Sequence, residues 1–268
     1  MYIIGEKING SIPSMGQAIA DRNADYIREM AKKQADAGAT YIDCCASVNE
    51  GEVETLKWMI DIIQDACDTP ICIDSPSPEV LVEVLDYIKK PGLCNSVSGE
   101  GNKIDLIFPK IADTKWKVVA LLSDDTGIPK DAAGRIRVLN NIMAEAEKYG
   151  IAEDRIFIDP LVEMLCAAED GIEVVIEVEK YIKEHYPDLH IICAVSNISY
   201  NLPYRKIVNQ AFAAVAMWFG MDAAVMDPLN RDLRGTIYAT EALMGEDFFC
   251  VEYIDAYRED IFGPVKKD

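Results

Sequence analysis

Eight short apolar runs, separated by longer helical patterns, constrain this chain more than any other feature. The runs cover 2–5, 40–44, 70–74, 92–96, 117–122, 155–159, 190–195 and 223–226. They are nearly continuous in apolar character instead of alternating, which is how parallel strands covered by helices read. Helix-forming segments follow them at 22–38, 52–67, 78–89, 103–113, 131–149, 171–186, 204–219 and 232–244. The segment 131–149 is rich in helix formers and stops at Gly150, a residue suited to a left-handed helix end. Eight strand–helix units with no linker predict one domain over 1–268, a (β/α)8 TIM barrel. An open, doubly wound sheet of eight strands is the structural alternative.

Composition narrows the function. The chain has 268 residues, an ordinary length for one barrel, and 50% of them are hydrophobic. Its formal net charge of −20 repels phosphate backbones, so nucleic acid is not an expected partner. Eight cysteines form no CxxC pair and several sit in apolar runs. That usage fits free thiols in a reducing cytoplasm, not the disulfide framework of a small secreted domain. No apolar run reaches membrane-spanning length.

Active sites of such barrels lie at the C-terminal ends of the strands. Here the strand ends carry Glu6-Lys7, Asp43, Asp74-Ser75, Asn95-Ser96, Ser123-Asp124-Asp125, Asp159-Pro160, Ser196-Asn197 and Asp227-Pro228. Any one of them alone serves equally well as a helix cap or turn opener. A whole ring, with carboxylates or amides on nearly every strand, points to a site. The core of the ring is Asp43, Asp74, Asn95, Asp159 and Asn197, and it contains no histidine. His185 lies near a helix end and His190 at a strand start, the face remote from chemistry, so no His-based triad or zinc site is expected. Cys44 and Cys45 are neighbours on one strand and point to opposite faces, as packing residues do. Ionised carboxylates accept from two-pronged donors, and amides both donate and accept. A pterin edge offers such groups: an amino group beside a ring N–H, a carbonyl and further nitrogens. A magnesium site of Asp residues competes, but the chain has no glycine-rich phosphate loop.

At these positions the chain resembles the pterin-binding methyltransferases. The resembling stretches are Ile3 to Gly10, Ile73-Asp74-Ser75, Cys94-Asn95-Ser96, Thr126 to Lys130, Ile158 to Leu161 and Ser196 to Ser199. Each is short, but together they keep the family's order and spacing along nearly the whole chain. The likeness is greatest to enzymes that move a methyl group between methyltetrahydrofolate and a corrinoid protein. Dihydropteroate synthase belongs to the wider group, so the resemblance implies a dihydropteroate-synthase-like barrel.

It also implies roles. Asp159 matches the carboxylate that forks to the pterin amino group and adjacent ring N–H. Asp74 and Asn95 match other polar contacts to the pterin edge. Asn197 matches the amide that reaches N5, the nitrogen that carries the methyl group, and is the catalytic candidate. Asp43, Ser196 and Arg205 fall at supporting or benzoyl-tail positions. The substrates would be tetrahydrofolate and 5-methyltetrahydrofolate. The cobalamin would ride on a separate corrinoid protein, because no Asp-x-His-x-x-Gly motif is present. No directly bound metal is expected, and the family forms homodimers. An amine leaving group is poor unless its nitrogen is protonated, and the Asn197 carbonyl could stabilise positive charge developing at N5. Two other functions stay open. One is a dihydropteroate synthase-like reaction, which needs cations where strand seven ends in Ser196-Asn197. The other is a non-catalytic pterin-binding module of a corrinoid complex.

Overall fold

In a computed structural model describing residues 1–48 and 50–265, eight parallel strands close into a barrel in chain order. Asn49 and residues 266–268, part of the expected 1–268 span, lie outside the described residues. The strands are β1 (Tyr2–Gly5), β2 (Tyr41–Cys45), β3 (Ile71–Asp74), β4 (Leu93–Gly99), β5 (Lys117–Asp124), β6 (Ile156–Asp159), β7 (His190–Ala194) and β8 (Ala223–Met226). β1 closes the barrel on β8 with Tyr2 opposite Ala223 and Gly5 opposite Met226.

The helices are α1 (Pro13–Ala20), α2 (Ala24–Asp36), α3 (Glu52–Ala66), α4 (Pro78–Leu85), α5 (Lys103–Ile111), α6 (Ala132–Lys148), α7 (Glu173–His185), α8 (Arg205–Phe219), α9 (Arg231–Met244) and α10 (Val251–Arg258). The periodic segments account for α2 to α9. Helices α1 and α10 were not expected, and each has only eight residues. Gly150 ends α6 with φ +66°, and its N–H bonds the Glu147 carbonyl at 3.1 Å. Strands β4 and β5 run beyond their apolar stretches because they pair with each other past the barrel rim, as far as Gly99 opposite Asp124.

Alternation along the strands builds the interior. Ile4, Tyr41, Cys72, Leu93, Val119, Phe157, Ile192 and Ala223, one from each strand, form a buried apolar layer across the lumen. Below it, His190 stacks on Phe157 at 4.4 Å, and Lys117 lies over the Tyr2 and Phe157 rings. His190 Nδ1 is 2.7 Å from Asp222 Oδ2. The one strand histidine therefore closes the barrel floor, away from the strand C-termini. The opposite set of strand residues, including Ile42, Cys44, Ile73 and Val118, packs outward against the helices. Fully burying one such aliphatic side chain stabilises the fold by about 1.5–3 kcal/mol.

Glu179 of α7 breaks the apolar pattern of this outer core. It is fully buried, and neither carboxyl oxygen has a hydrogen-bond partner. Burial pushes its pKa up to about 8, with Lys183 pulling the other way. The unfolded chain ionises this group near 4.5. Folding must then protonate it or bury a charge, so stability falls as the pH rises from 4.5 to 8 and levels off above. Glu179→Gln removes the titration. Urea unfolding at pH 5 and pH 8 should show a smaller loss of stability in the variant than in the wild type.

Candidate active site

Two residues beyond each member of the apolar layer, the alternation turns another side chain into the lumen. Those positions are Glu6, Asp43, Asp74, Asn95, Leu121, Asp159, Ala194 and Val225, and all eight line one cavity of about 390 Å³. Val119 and Ile192 of the apolar layer form its base. Asn9, Ser11 and Ile12 after β1, and Ser196 and Asn197 after β7, complete the wall. The lining holds four carboxyl groups and no Lys, Arg or His.

Each carboxyl is held differently. Asp43 is 2% exposed and accepts from Asn9 Nδ2 at 3.2 Å. Burial, then the Asp74 carboxylate beside it, pushes Asp43 well above the usual carboxylate range. Asp74 is raised to about 6 by burial, with the Cys45 thiol partly offsetting this by hydrogen bonding. Asp159 Oδ1 accepts from the Leu161 N–H at 2.8 Å, and burial raises it to about 6. Glu6 is raised to about 7 by burial and then by Asp227. Asn95 ends the regular part of β4, opposite Asp74, and its carbonyl accepts from the Ser75 N–H at 3.1 Å.

Asn197 opens a 3-10 turn, Asn197–Ser199. It does not cap α8, whose N-cap is Tyr204. Its side chain also lines an outer depression of about 260 Å³ with Val162, Glu163, Met164, Ala167 and Tyr200. Asn197 therefore stands between the lumen cavity and a second hollow at the rim.

Six of the seven residues expected at the site share the lumen cavity: Asp43, Asp74, Asn95, Asp159, Ser196 and Asn197. Arg205 is not in the lining. It donates to the Ser196 carbonyl at 2.6 Å and the Ser199 hydroxyl at 2.9 Å, with its guanidinium over the Tyr200 ring. It grips the turn that carries Asn197. Glu6 and Asn9 are cavity residues outside the core of the ring and the seven expected site residues, although Glu6 stands among the polar strand ends. The available signal was the alternation from Ile4, which turns Glu6 inward although β1 ends at Gly5.

Arg135 of α6 braces the site from outside the lining, with no signal in its sequence neighbourhood. It is 1% exposed and donates to the carbonyls of Pro129, Pro160 and Leu161 and to Glu163 Oε2. Two of those carbonyls belong to the loop directly after Asp159, so Arg135 sets where that carboxyl stands. Among the described residues, no group of three or more His, Cys, Asp or Glu is placed to hold a metal ion. The arrangement can accept paired N–H donors at Asp159 and exchange protons near neutral pH at Glu6.

The family model described as pterin binding enzyme matches residues 9–227. The chain is 48% identical over 270 residues to the methylcorrinoid:tetrahydrofolate methyltransferase of Eubacterium limosum, covering 99% of each. Among solved structures it is similar to the dihydropteroate synthase of Clostridium difficile in the presence of pteroic acid. That likeness has a TM-score of 0.69 and 20% identity, over 91% of this chain and 96% of the other. The dihydropteroate synthase of Coxiella burnetii in complex with pteroic acid gives 0.66 and 17%, over 92% and 94%. These two likenesses are of fold.

The Arg135 clamp generates a test. Arg135→Met leaves buried carbonyls without donors and should lower the unfolding free energy by about 3 kcal/mol. Arg137→Met, on the exposed face of the same helix, should change it by less than about 0.5 kcal/mol. Urea unfolding of the two variants measures both.

Proposed function

The chain belongs to the pterin binding enzyme family, and from that premise we propose that it is a methyltransferase acting between N5 of tetrahydrofolate and the cobalt of a corrinoid. The corrinoid is carried by a separate protein. The reaction is taken from the Eubacterium limosum relative, whose name states both substrates and whose whole length this chain matches. The observation that supports the reading most is the single cavity in which Asp74, Asn95, Asp159 and Asn197 meet above an apolar base. Such a base suits the face of a flat pterin, and the acids and amides suit its polar edge.

In this reading Asp159, ionised, accepts from the pterin amino group and the neighbouring ring N–H. Asp74 and Asn95 take the rest of the edge, with Asp43 and Ser196 in support. Arg205 braces the Asn197 turn, and the Asn197 carbonyl stabilises the N5 proton as charge develops there. In the direction stated by the relative's name, the N5 lone pair attacks the methyl carbon and the electron pair of the cobalt–carbon bond stays on cobalt. The reverse uses the same groups. The cobalt supplies the nucleophilic chemistry, and this chain supplies binding and electrostatics. The enzyme works in the cytoplasm as a homodimer and binds no metal itself. Its eight free thiols suit that setting.

A dihydropteroate synthase must expel pyrophosphate, and a lining with four carboxyls and no cation disfavours that chemistry. Titration with methyltetrahydrofolate and with a pterin pyrophosphate separates the two, and only the former should bind tightly.

Asn197→Ala should depress the single-turnover rate at least about tenfold more than it weakens folate binding. Equal losses would make Asn197 a uniform binding contact. Asp159→Asn should weaken folate binding by about 2 kcal/mol. Because Asp159 gains its proton near pH 6, wild-type affinity should fall as the pH drops below 6, and the Asn variant should lose that dependence. Fluorescence titration across pH measures both.

A further inference from the structure

One carboxyl in the cavity has no part in the reaction as described. Glu6 lines the lumen directly after β1, and no hydrogen bond holds its side chain among the described residues. Hydrogen bonds hold Asp43, from Asn9 Nδ2, and Asp159, from the Leu161 N–H, and Asp74 is assigned to the pterin edge. The charged groups facing Glu6 are Lys7 at its own strand end, Asp43 on β2, Asp227 after β8 and Arg205 at the start of α8. Neither cation is committed to it. Lys7 Nζ lies 3.2 Å from Asp227 Oδ2, and Arg205 is bonded to the Ser196 carbonyl and the Ser199 hydroxyl. In the closed barrel β8 alone separates β1, which Glu6 follows, from β7, which Asn197 follows, so Glu6 belongs to the Asn197 side of the cavity.

We propose that Glu6 is the acid–base group of the site, taking the proton from N5 of tetrahydrofolate as the methyl group arrives and returning it as the methyl group leaves. The inference rests on the methyltransferase reading above. The step balances without a further reagent. When N5 bonds the methyl carbon, the cobalt–carbon pair stays on cobalt, and the N5–H proton passes to the Glu6 carboxylate. In reverse, neutral Glu6 protonates N5, and the amine leaves as the methyl carbon bonds cobalt. The alternatives within the cavity are weaker. The Asn197 amide has no titrating proton, Asp159 and Asp74 are committed to the pterin edge, and Asp43 is 2% exposed and bonded to Asn9. Burial with Asp227 nearby holds Glu6 at about 7, so both of its forms are present at neutral pH, as acid–base catalysis in two directions requires.

The test compares wild type with Glu6→Gln, which keeps the shape and cannot titrate. Single-turnover rates are taken in both directions from pH 5.5 to 8.5 with a corrinoid protein, and tetrahydrofolate affinity by fluorescence. The wild-type rate onto tetrahydrofolate should rise through about pH 7, and the rate from methyltetrahydrofolate should fall through the same range. Glu6→Gln should lose about 10²-fold in rate and both slopes, with affinity within about threefold of wild type. Glu6→Asp keeps a titrating carboxyl one methylene shorter and should keep the slopes at an intermediate rate. A Gln variant with the wild-type rate and slopes overturns the proposal, as does a rate loss matched by an equal loss of affinity. If the Gln variant does not fold, an Asp variant without the slopes, or a wild type without them, overturns it. A wild type inactive in both directions overturns the methyltransferase reading itself, whereas an active wild type with an unaltered Gln variant overturns only the role of Glu6.

Discussion

A sealed apolar layer, one side chain from each of eight strands, is what the rest of this molecule rests on. Because strand side chains alternate, that layer dictates the one above it. The residues two positions along must line a cavity that has a dry base and opens at the C-terminal face. In this chain those residues are Glu6, Asp43, Asp74, Asn95 and Asp159 on one part of the wall, and Leu121, Ala194 and Val225 on the rest. The apolar layer therefore does more than stabilise the barrel. It keeps water from beneath the carboxyls, and burial is the largest cause of every upward shift among them.

Two arginines near the site are used on backbone. Arg135, near the start of α6, grips carbonyls of the loop after Asp159. Arg205, at the start of α8, grips the turn that holds Asn197. These are two versions of one device, a guanidinium fork with several donors that fixes an irregular strand-to-helix connection. It leaves the lining with carboxyls and amides and without a cation. An acidic, partly protonated cavity favours a ligand rich in N–H donors over one carrying phosphates, and a reduced pterin is such a ligand.

Much of this was legible in the sequence, for a physical reason. Parallel strands buried on both faces must be continuously apolar, so the eight runs and their order stood out, and β1 and β8 match their apolar runs residue for residue. Strand-end polarity brings out Asp43, Asp74, Asn95, Asp159 and Asn197 as a set, because carboxylates or amides on nearly every strand exceed what turn chemistry at single ends requires. What stayed hidden depends on long-range geometry. Glu6 beside Lys7 reads as a charged turn unless the alternation is carried one residue past the strand. Arg135 and Arg137 are indistinguishable in sequence, yet one is 1% exposed and the other faces solvent. Arg205 could be placed near the site but not aimed, because its target is the backbone of a turn whose path the sequence does not reveal.

The central claim is methyl transfer between a pterin and a corrinoid. It is tested most directly by adding tetrahydrofolate to a methylated corrinoid protein and following the cobalt absorbance. With catalytic amounts of this chain, the methyl–cobalt(III) spectrum should give way to that of cobalt(I) as an equal amount of methyltetrahydrofolate forms. An unchanged spectrum, with tetrahydrofolate demonstrably bound to the chain, would contradict the account and leave a pterin-binding barrel without this chemistry.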